Sequence, residues 1–288
     1  MPGIMSGRTG AATRTLIGAG ALALAVASAD MALAPAVAAA EAVDRTALRV
    51  CADPNNLPFA NDNGEGFENK IAELLARELG VEVRYTWHPD SIGFVRNTLR
   101  ARKCDIIIGT ALGDERVQNT SPYYRSAYCL VYRQGSGLAL ASIEDPALRS
   151  LKLGVIAGTP PATVLAQRGL LANTRSYQLV VDTRFSSPAR ELVHDVVSGR
   201  VDVGILWGPI AGYYARHEHL PLEVVPLRGE GEAETIEFRV AMGVRRNEPE
   251  WTQTINDLIA KTQPEINRIL QDYGVPLLEG PDSPREKP

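Results

Sequence analysis

Hydrophobic and polar positions along the chain switch between two periods, and the whole pattern occurs twice. Residues 48–52 form a short apolar run, residues 53–66 are rich in turn formers, and Phe67, Ile71, Leu74, Leu75 and Leu79 recur on one helical face before Gly80. A strand, a turn-rich loop and an amphipathic helix are expected in that order. A strand over 81–87, a helix over 94–101 and a strand over 104–109 complete a β-α-β-α-β series. The series restarts with a strand over 151–156, a helix over 161–169, a strand over 177–181, a helix over 188–198 and a strand over 201–206. Strands that alternate with helices imply a mostly parallel sheet covered on both faces, so the fold class is α/β.

The two series also agree in detail. Each passes from a helix end to a basic residue and then to Asp among apolar residues, as Lys103-Cys104-Asp105-Ile106-Ile107 and as Arg200-Val201-Asp202-Val203. Two similar lobes are therefore expected. A further strand at 238–244 and a helical stretch over 249–273, interrupted at Pro264, are expected to return to the first lobe. The chain then crosses twice, near 135–141 and 231–237, which makes a double-crossover hinge with a cleft. Residues 46–137 with 238–276 form lobe 1, residues 138–237 form lobe 2, and the proline- and charge-rich residues 279–288 are expected to be a disordered tail.

The amino terminus changes the picture of where this chain works. Arg8 and Arg14 precede an Ala- and Leu-rich run over 16–29, and Ala38-Ala39-Ala40 supplies a small-residue cleavage site before Glu41. Residues 1–40 read as a signal peptide for export to the periplasm, because the run is too short and too rich in alanine to span a bilayer comfortably. Its removal leaves 28 basic and 33 acidic residues, a formal charge of −5. That balance argues against nucleic acid as a partner. No second hydrophobic run is long enough to cross a membrane.

Three cysteines in an oxidising compartment permit one disulfide and leave one thiol over. Cys51 lies in the first strand and Cys104 opens the third, so a Cys51–Cys104 bridge is allowed if those strands are neighbours. Cys129, in an apolar run, fits a buried small residue. That pairing is the expected one, and the others stay open at this level.

Several segments carry a resemblance. Arg49-Val50-Cys51-Ala52-Asp53-Pro54, Leu57-Pro58-Phe59, Gly66-Phe67-Glu68 and Ser121-Pro122-Tyr123-Tyr124 resemble the type II periplasmic binding proteins that feed ABC transporters. More narrowly, residues 51–59, 64–70 and 93–99, Val117-Gln118-Asn119-Thr120 and Trp207-Gly208-Pro209 resemble the quinoprotein-dehydrogenase-associated binding proteins of bacterial methanol oxidation, the MxaJ/XoxJ family. The resemblance implies a two-lobed type II periplasmic binding fold and an accessory protein without catalysis or cofactor of its own. It implies as partner the large subunit of a PQQ-dependent methanol dehydrogenase, with that system's cytochrome c as a second candidate, and it leaves room for a small-molecule ligand.

Nine residues are candidates for a ligand or partner cleft: Asp53, Asn56, Phe59, Glu68, Arg116, Thr159, Trp207, Tyr213 and Tyr214. Arg116 falls where amino-acid receptors of this fold place the arginine that grips a substrate carboxylate, a task suited to a planar guanidinium. It equally fits a solvated turn paired with Asp114 or Glu115. Trp207 stands where those receptors place an acid for the substrate ammonium, and an indole cannot pair with a cation by charge. Pro160 and Pro161 follow Thr159 at a helix start, where two N–H groups that would receive a carboxylate are therefore missing.

Phe59, Trp87, Phe94, Trp207, Tyr213 and Tyr214 are either cleft lining or core. The four histidines show no metal spacing, residues 61–65 lack the register of a calcium loop, and no serine sits in a nucleophile elbow, so no catalytic or metal-binding residue is assigned. Two rival readings remain: an ABC-transporter receptor for an unknown small molecule, and a dehydratase-like enzyme in which Arg116 binds substrate and Glu68 acts as acid.

Overall fold

The computed structural model describes residues 45–179, 181–183, 185–228 and 236–278. The export segment, the tail and the crossing expected near 231–237 lie outside these residues, apart from 236–237. The strands are β1 (Ala47–Ala52), β2 (Asn55–Asn56), β3 (Ala60–Asn61), β4 (Glu82–Trp87), β5 (Ile106–Ala111), β6 (Gln118–Arg133), β7 (Leu153–Ile156), β8 (Thr174–Tyr177), β9 (Val203–Trp207), β10 (Leu222–Pro226) and β11 (Glu237–Val244). The helices are α1 (Phe67–Leu79), α2 (Phe94–Asn97), α3 (Pro160–Gln167), α4 (Pro188–Ser198), α5 (Gly208–Arg216) and α6 (Pro249–Asp272).

The main sheet runs β4-β1-β5-β11-β6-β9-β7-β8, with β10 on β6. Within it β4, β1 and β5 are parallel, as are β9, β7 and β8, while β11 and β6 run antiparallel to their neighbours. β6 joins the two halves. Its residues up to Ala127 pair with β11, and from Tyr128 onward it pairs with β9 and β10. A strand of this length reaches roughly 50 Å, enough to serve two layers in turn. The passage between halves therefore lies inside a strand, upstream of the glycine-rich turn at 135–141 where the sequence pattern suggested it.

Each half has its own core. In the first half, Phe67, Ile71, Leu74 and Leu75 of α1 meet Ile255, Ile259, Ile266 and Leu270 of α6 over β1 and β5. On the other face, Phe94, Val95 and Leu99 pack around Cys51 and Cys104. In the second half one apolar cluster includes Leu148, Val164 and Leu165, and the other is built on Leu192, Val193 and Val196 of α4. Differences from the expected elements are local. α6 runs through Pro264 without interruption, since Ile255, Leu258, Ile259, Ile266 and Leu270 bury one face on both sides of it. α2 is a single turn, and β8 ends at Tyr177 where a strand was expected to begin.

The disulfide joins Cys51 of β1 to Cys104, with Cα atoms 5.5 Å apart, and Cys129 is buried and free. The bridge is possible because β1 and β5 pair directly at Val50 and Ile106. Next to it, the buried carboxylate of Asp105 accepts from Arg49 Nε and Nη2 at 2.7 and 2.6 Å and from Arg245 Nη2 at 2.7 Å. Burial alone would raise its pKa. The hydrogen bonds and charges of the two arginines outweigh that and hold it below the usual carboxylate range.

Three sets of contacts tie the halves together near the crossing. Trp207 packs edge-to-face against Tyr128 and Phe238, with ring centroids 5.4 and 5.7 Å away. The C-terminal segment lies along β6, where Ser126 Oγ donates to the Pro276 carbonyl at 2.7 Å and Leu278 N to the Arg125 carbonyl at 3.0 Å. Gly212 of α5 then meets Gly274 backbone to backbone, and a Cβ at either glycine would collide with the other's carbonyl group.

Candidate functional site

In an open α/β sheet, binding sites form beyond the carboxyl ends of the parallel strands. In the first half Asp53 follows β1, Asp90 follows β4, and Thr110 and Arg116 lie at and after the end of β5. Glu68, in the first turn of α1, completes the group. The α1 start is fixed by Asn69, whose Oδ1 accepts from Gly66 N and Asn61 N, both at 3.0 Å. This holds Glu68 against β5, and a Cβ on Gly109 would strike its Oε1. Glycine at 109 is therefore what makes room for the carboxyl.

Asp53 is 4% exposed, and a carboxylate so enclosed must be compensated. Its Oδ1 accepts from Asn55 N at 2.8 Å and its Oδ2 from Asp90 N at 2.6 Å. Thr183, from the second half, donates its hydroxyl to the same group, with Oγ1 at 3.0 Å from Oδ1 and 2.9 Å from Oδ2. Asn55 Nδ2 adds a bond to the Thr183 carbonyl at 2.7 Å. Asp53 is committed to fastening the two halves.

Arg116 is committed as well. Its Nε and Nη2 hold both oxygens of Asp114 at 2.9, 3.2 and 2.7 Å, and its backbone N donates to Asp114 Oδ1 at 2.9 Å. Of its two sequence readings, the structure shows the turn partner. The hydrogen bond from Arg116 holds the Asp114 carboxyl below the usual range, against a smaller opposing effect of burial.

Glu68 behaves in the opposite way. Burial, helped by the charge of Asp90, pushes its pKa up to about 8, which makes it a neutral acid at neutral pH. Asp90 is likewise shifted up, first by burial and then by Asp53, with Arg116 acting against the shift.

On the second half, Thr159 lies three residues beyond β7 as the residue capping α3, yet its hydroxyl donates back to the Ile156 carbonyl at 2.6 Å. Pro160 and Pro161 occupy the first turn of α3, so that helix start offers few N–H groups. Trp207 ends β9 and faces the aromatic contacts of the crossing, and its indole N–H has no acceptor among the described residues.

The remaining candidates lie elsewhere. Asn56 and Phe59 belong to the β2–β3 hairpin, where Phe59 packs edge-to-face on Phe67 at 5.4 Å. Tyr214 is buried in α5, and Tyr213 stacks with His217 and Tyr273 at 4.9 and 6.3 Å. Trp87 packs against the first-half core and Phe94 is buried beside the disulfide.

Three participants escaped the sequence reading: Asn55, Asp90 and Thr183. Asp90 was within reach of it, because it follows a strand end in the sheet half that the pattern predicts. Thr183 lies in a stretch without periodicity and carries no such signal.

A two-lobed α/β chain whose strand ends face each other across a hinge is a type II periplasmic binding fold. The comparisons agree: residues 48–276 match the family of bacterial extracellular solute-binding proteins, family 3, and the chain belongs to that family. It is 32% identical to Protein MoxJ of Methylorubrum extorquens over 83% of this chain and 85% of the relative. Protein MoxJ of Paracoccus denitrificans is also 32% identical, over 84% and 93% respectively. Among solved structures, the periplasmic binding protein XoxJ from Methylobacterium extorquens AM1 is 42% identical with a TM-score of 0.70, covering 81% of this chain and 100% of that one. Among the described residues, no helix is long and apolar enough to cross a membrane.

Proposed function

We propose that the exported chain works in the periplasm as an accessory protein of a PQQ-dependent methanol dehydrogenase. In this reading it binds the large subunit of the dehydrogenase or helps activate it, and performs no catalysis itself. The observation that carries the reading is the pairing of Arg116 with Asp114: the guanidinium placed to grip a ligand carboxylate is filled by a neighbour two residues away. Asp53 and Thr159 are similarly committed, and Pro160 and Pro161 remove N–H donors. In a fold built to release and capture charged solutes, these groups are committed to partners within the chain. The likeness to MoxJ and XoxJ over most of the chain supports the same conclusion.

A second reading is favoured by Glu68, whose neutral carboxyl suits an uncharged polar ligand in the cleft. Calorimetry of the mature protein separates the two, run once against purified dehydrogenase and once against a panel of small solutes. Binding of the dehydrogenase with no solute uptake supports the accessory role. Tight solute binding without affinity for the dehydrogenase overturns it.

A further inference from the structure

Residues 91–104 carry four cations, Arg96, Arg100, Arg102 and Lys103, and no acid, in a chain that is acidic overall. Burial sorts them to one side. Phe94, Val95 and Leu99 pack inward around the disulfide and Thr98 is buried with them, while the four cations are exposed. The backbone that carries them is a run of fixed turns, in which Arg100 N donates to the Val95 carbonyl at 2.9 Å, Arg102 N to that of Leu99 at 3.1 Å and Lys103 N to that of Thr98 at 3.1 Å. Two further bonds pin it to the sheet, from Arg49 Nη1 to the Arg102 carbonyl at 3.2 Å and from Thr86 Oγ1 to the Lys103 carbonyl at 2.9 Å. The Cys51–Cys104 bridge fixes its end.

None of the four makes an ion pair among the described residues, and Arg96 reaches only the amide oxygen of its neighbour Asn97, at 3.5 Å. Other arginines of the first half behave differently: Arg49 holds Asp105, Arg77 holds Glu265, Arg84 holds Glu82 and Arg116 holds Asp114. The acids that border the segment are therefore taken, Asp105 by Arg49 and Arg245 and Asp114 by Arg116, and the charge of Arg100 adds to the positive field on Asp114. A single unpaired surface cation is ordinary. Four on one side of a braced segment concentrate a positive field that can steer and hold an acidic surface.

We propose that the outer side of residues 94–103 is a docking surface for a protein that presents clustered carboxylates. This rests on the reading above that the partner is the dehydrogenase. Three of the four cations are arginines, whose planar fork donates two parallel N–H bonds to one carboxylate. A protein surface is favoured over an anionic membrane, because the disulfide and the pinned turns hold the cations at fixed spacing. Fixed carboxylates can match that spacing, and a fluid layer of headgroups does not require it. A second copy of this chain is disfavoured, because a two-fold contact through this patch sets like charges against each other.

The test measures binding of purified dehydrogenase to the immobilised mature chain over a salt series, for wild type, for the double variant Arg100→Glu with Lys103→Glu, and for the milder Arg96→Gln. Arg149→Glu makes a charge reversal at an exposed arginine of the second half and serves as control. Unfolding midpoints are recorded for every protein. The double variant is expected to keep its midpoint, to bind about tenfold more weakly at low ionic strength, chiefly through slower association, and to lose most of the salt dependence. Arg96→Gln is expected to shift binding the same way by less, and Arg149→Glu to leave it near wild type. If wild type binds and the folded variants bind no differently from the control, the segment is not the surface and the accessory role survives. If wild type does not bind at all, both fail. Retention on phosphatidylglycerol vesicles, or self-association in sedimentation velocity, that the double variant abolishes while dehydrogenase binding stays intact assigns the face to a membrane or to a second copy and overturns the inference.

Discussion

Thr183 Oγ1 lies 2.9 Å from one carboxylate oxygen of Asp53 and 3.0 Å from the other, which makes this hydroxyl a direct tie between the two halves of the chain. A hydrogen bond to a carboxylate contributes about 1.5–3 kcal/mol. Thr183→Val keeps the side-chain shape and removes the donor, so the arrangement with the halves joined should lose that amount relative to an open one. Small-angle scattering of the variant should show a larger radius of gyration than wild type. An unchanged radius would show that the contacts at the crossing hold the halves without the clasp.

Free amino acids should bind weakly, with Kd above about 1 mM. The reason is that Arg116 already holds a carboxylate and that Trp207 offers no negative charge to an ammonium. Asp114→Ala releases the guanidinium and should raise affinity for small carboxylates; its unfolding midpoint is measured alongside, because the Asp114 side chain is only 12% exposed and also accepts from Arg116 N. Calorimetry that finds micromolar amino-acid binding by wild type would falsify this account of the cleft.

How much of this was readable beforehand follows from what each feature depends on. The two α/β halves were legible because α1 and α4 carry their apolar residues at helical spacing and because β5, β7 and β9 are short, mostly apolar runs. The Cys51–Cys104 bridge followed from strand adjacency in such a fold. The sixteen-residue β6 was not legible, because it carries a proline and several polar residues that tertiary pairing with β11 overrides. The site was legible only where residues follow predicted strand ends, as Asp53, Arg116, Thr159 and Trp207 do. Tyr213 and Tyr214 looked like cleft residues because the α5 helix was not foreseen. Once helical, that segment turns them toward Tyr273 and Ser187.

Glu68 should make stability fall as pH rises. In the folded chain it keeps its proton up to about pH 8, while in an unfolded chain a glutamate loses it near about 4.3. Between those values the folded state holds more protons, so rising pH favours unfolding. The stabilising contribution is complete below the unfolded value and gone once pH has passed the folded one. Glu68→Gln cannot ionise and should lose this dependence. Chemical denaturation of both proteins at about pH 5 and pH 9 should show the variant gaining on wild type at the higher pH. A constant difference between the two proteins would place the Glu68 carboxyl in an ordinary solvated state.

Trp207 separates support of the crossing from docking of a partner. Its ring is half-buried between Tyr128 and Phe238, one from the strand that joins the halves and one from the strand that returns to the first half. Removing a buried tryptophan costs about 3–5 kcal/mol, and partial exposure puts this one near the lower end. Trp207→Ala should therefore lower the unfolding midpoint in denaturant. Its affinity for the dehydrogenase, measured at a temperature where the variant is folded, should stay near that of wild type. A Trp207→Ala protein that keeps its midpoint but loses its partner would place a docking surface at the crossing, with the indole as its anchor.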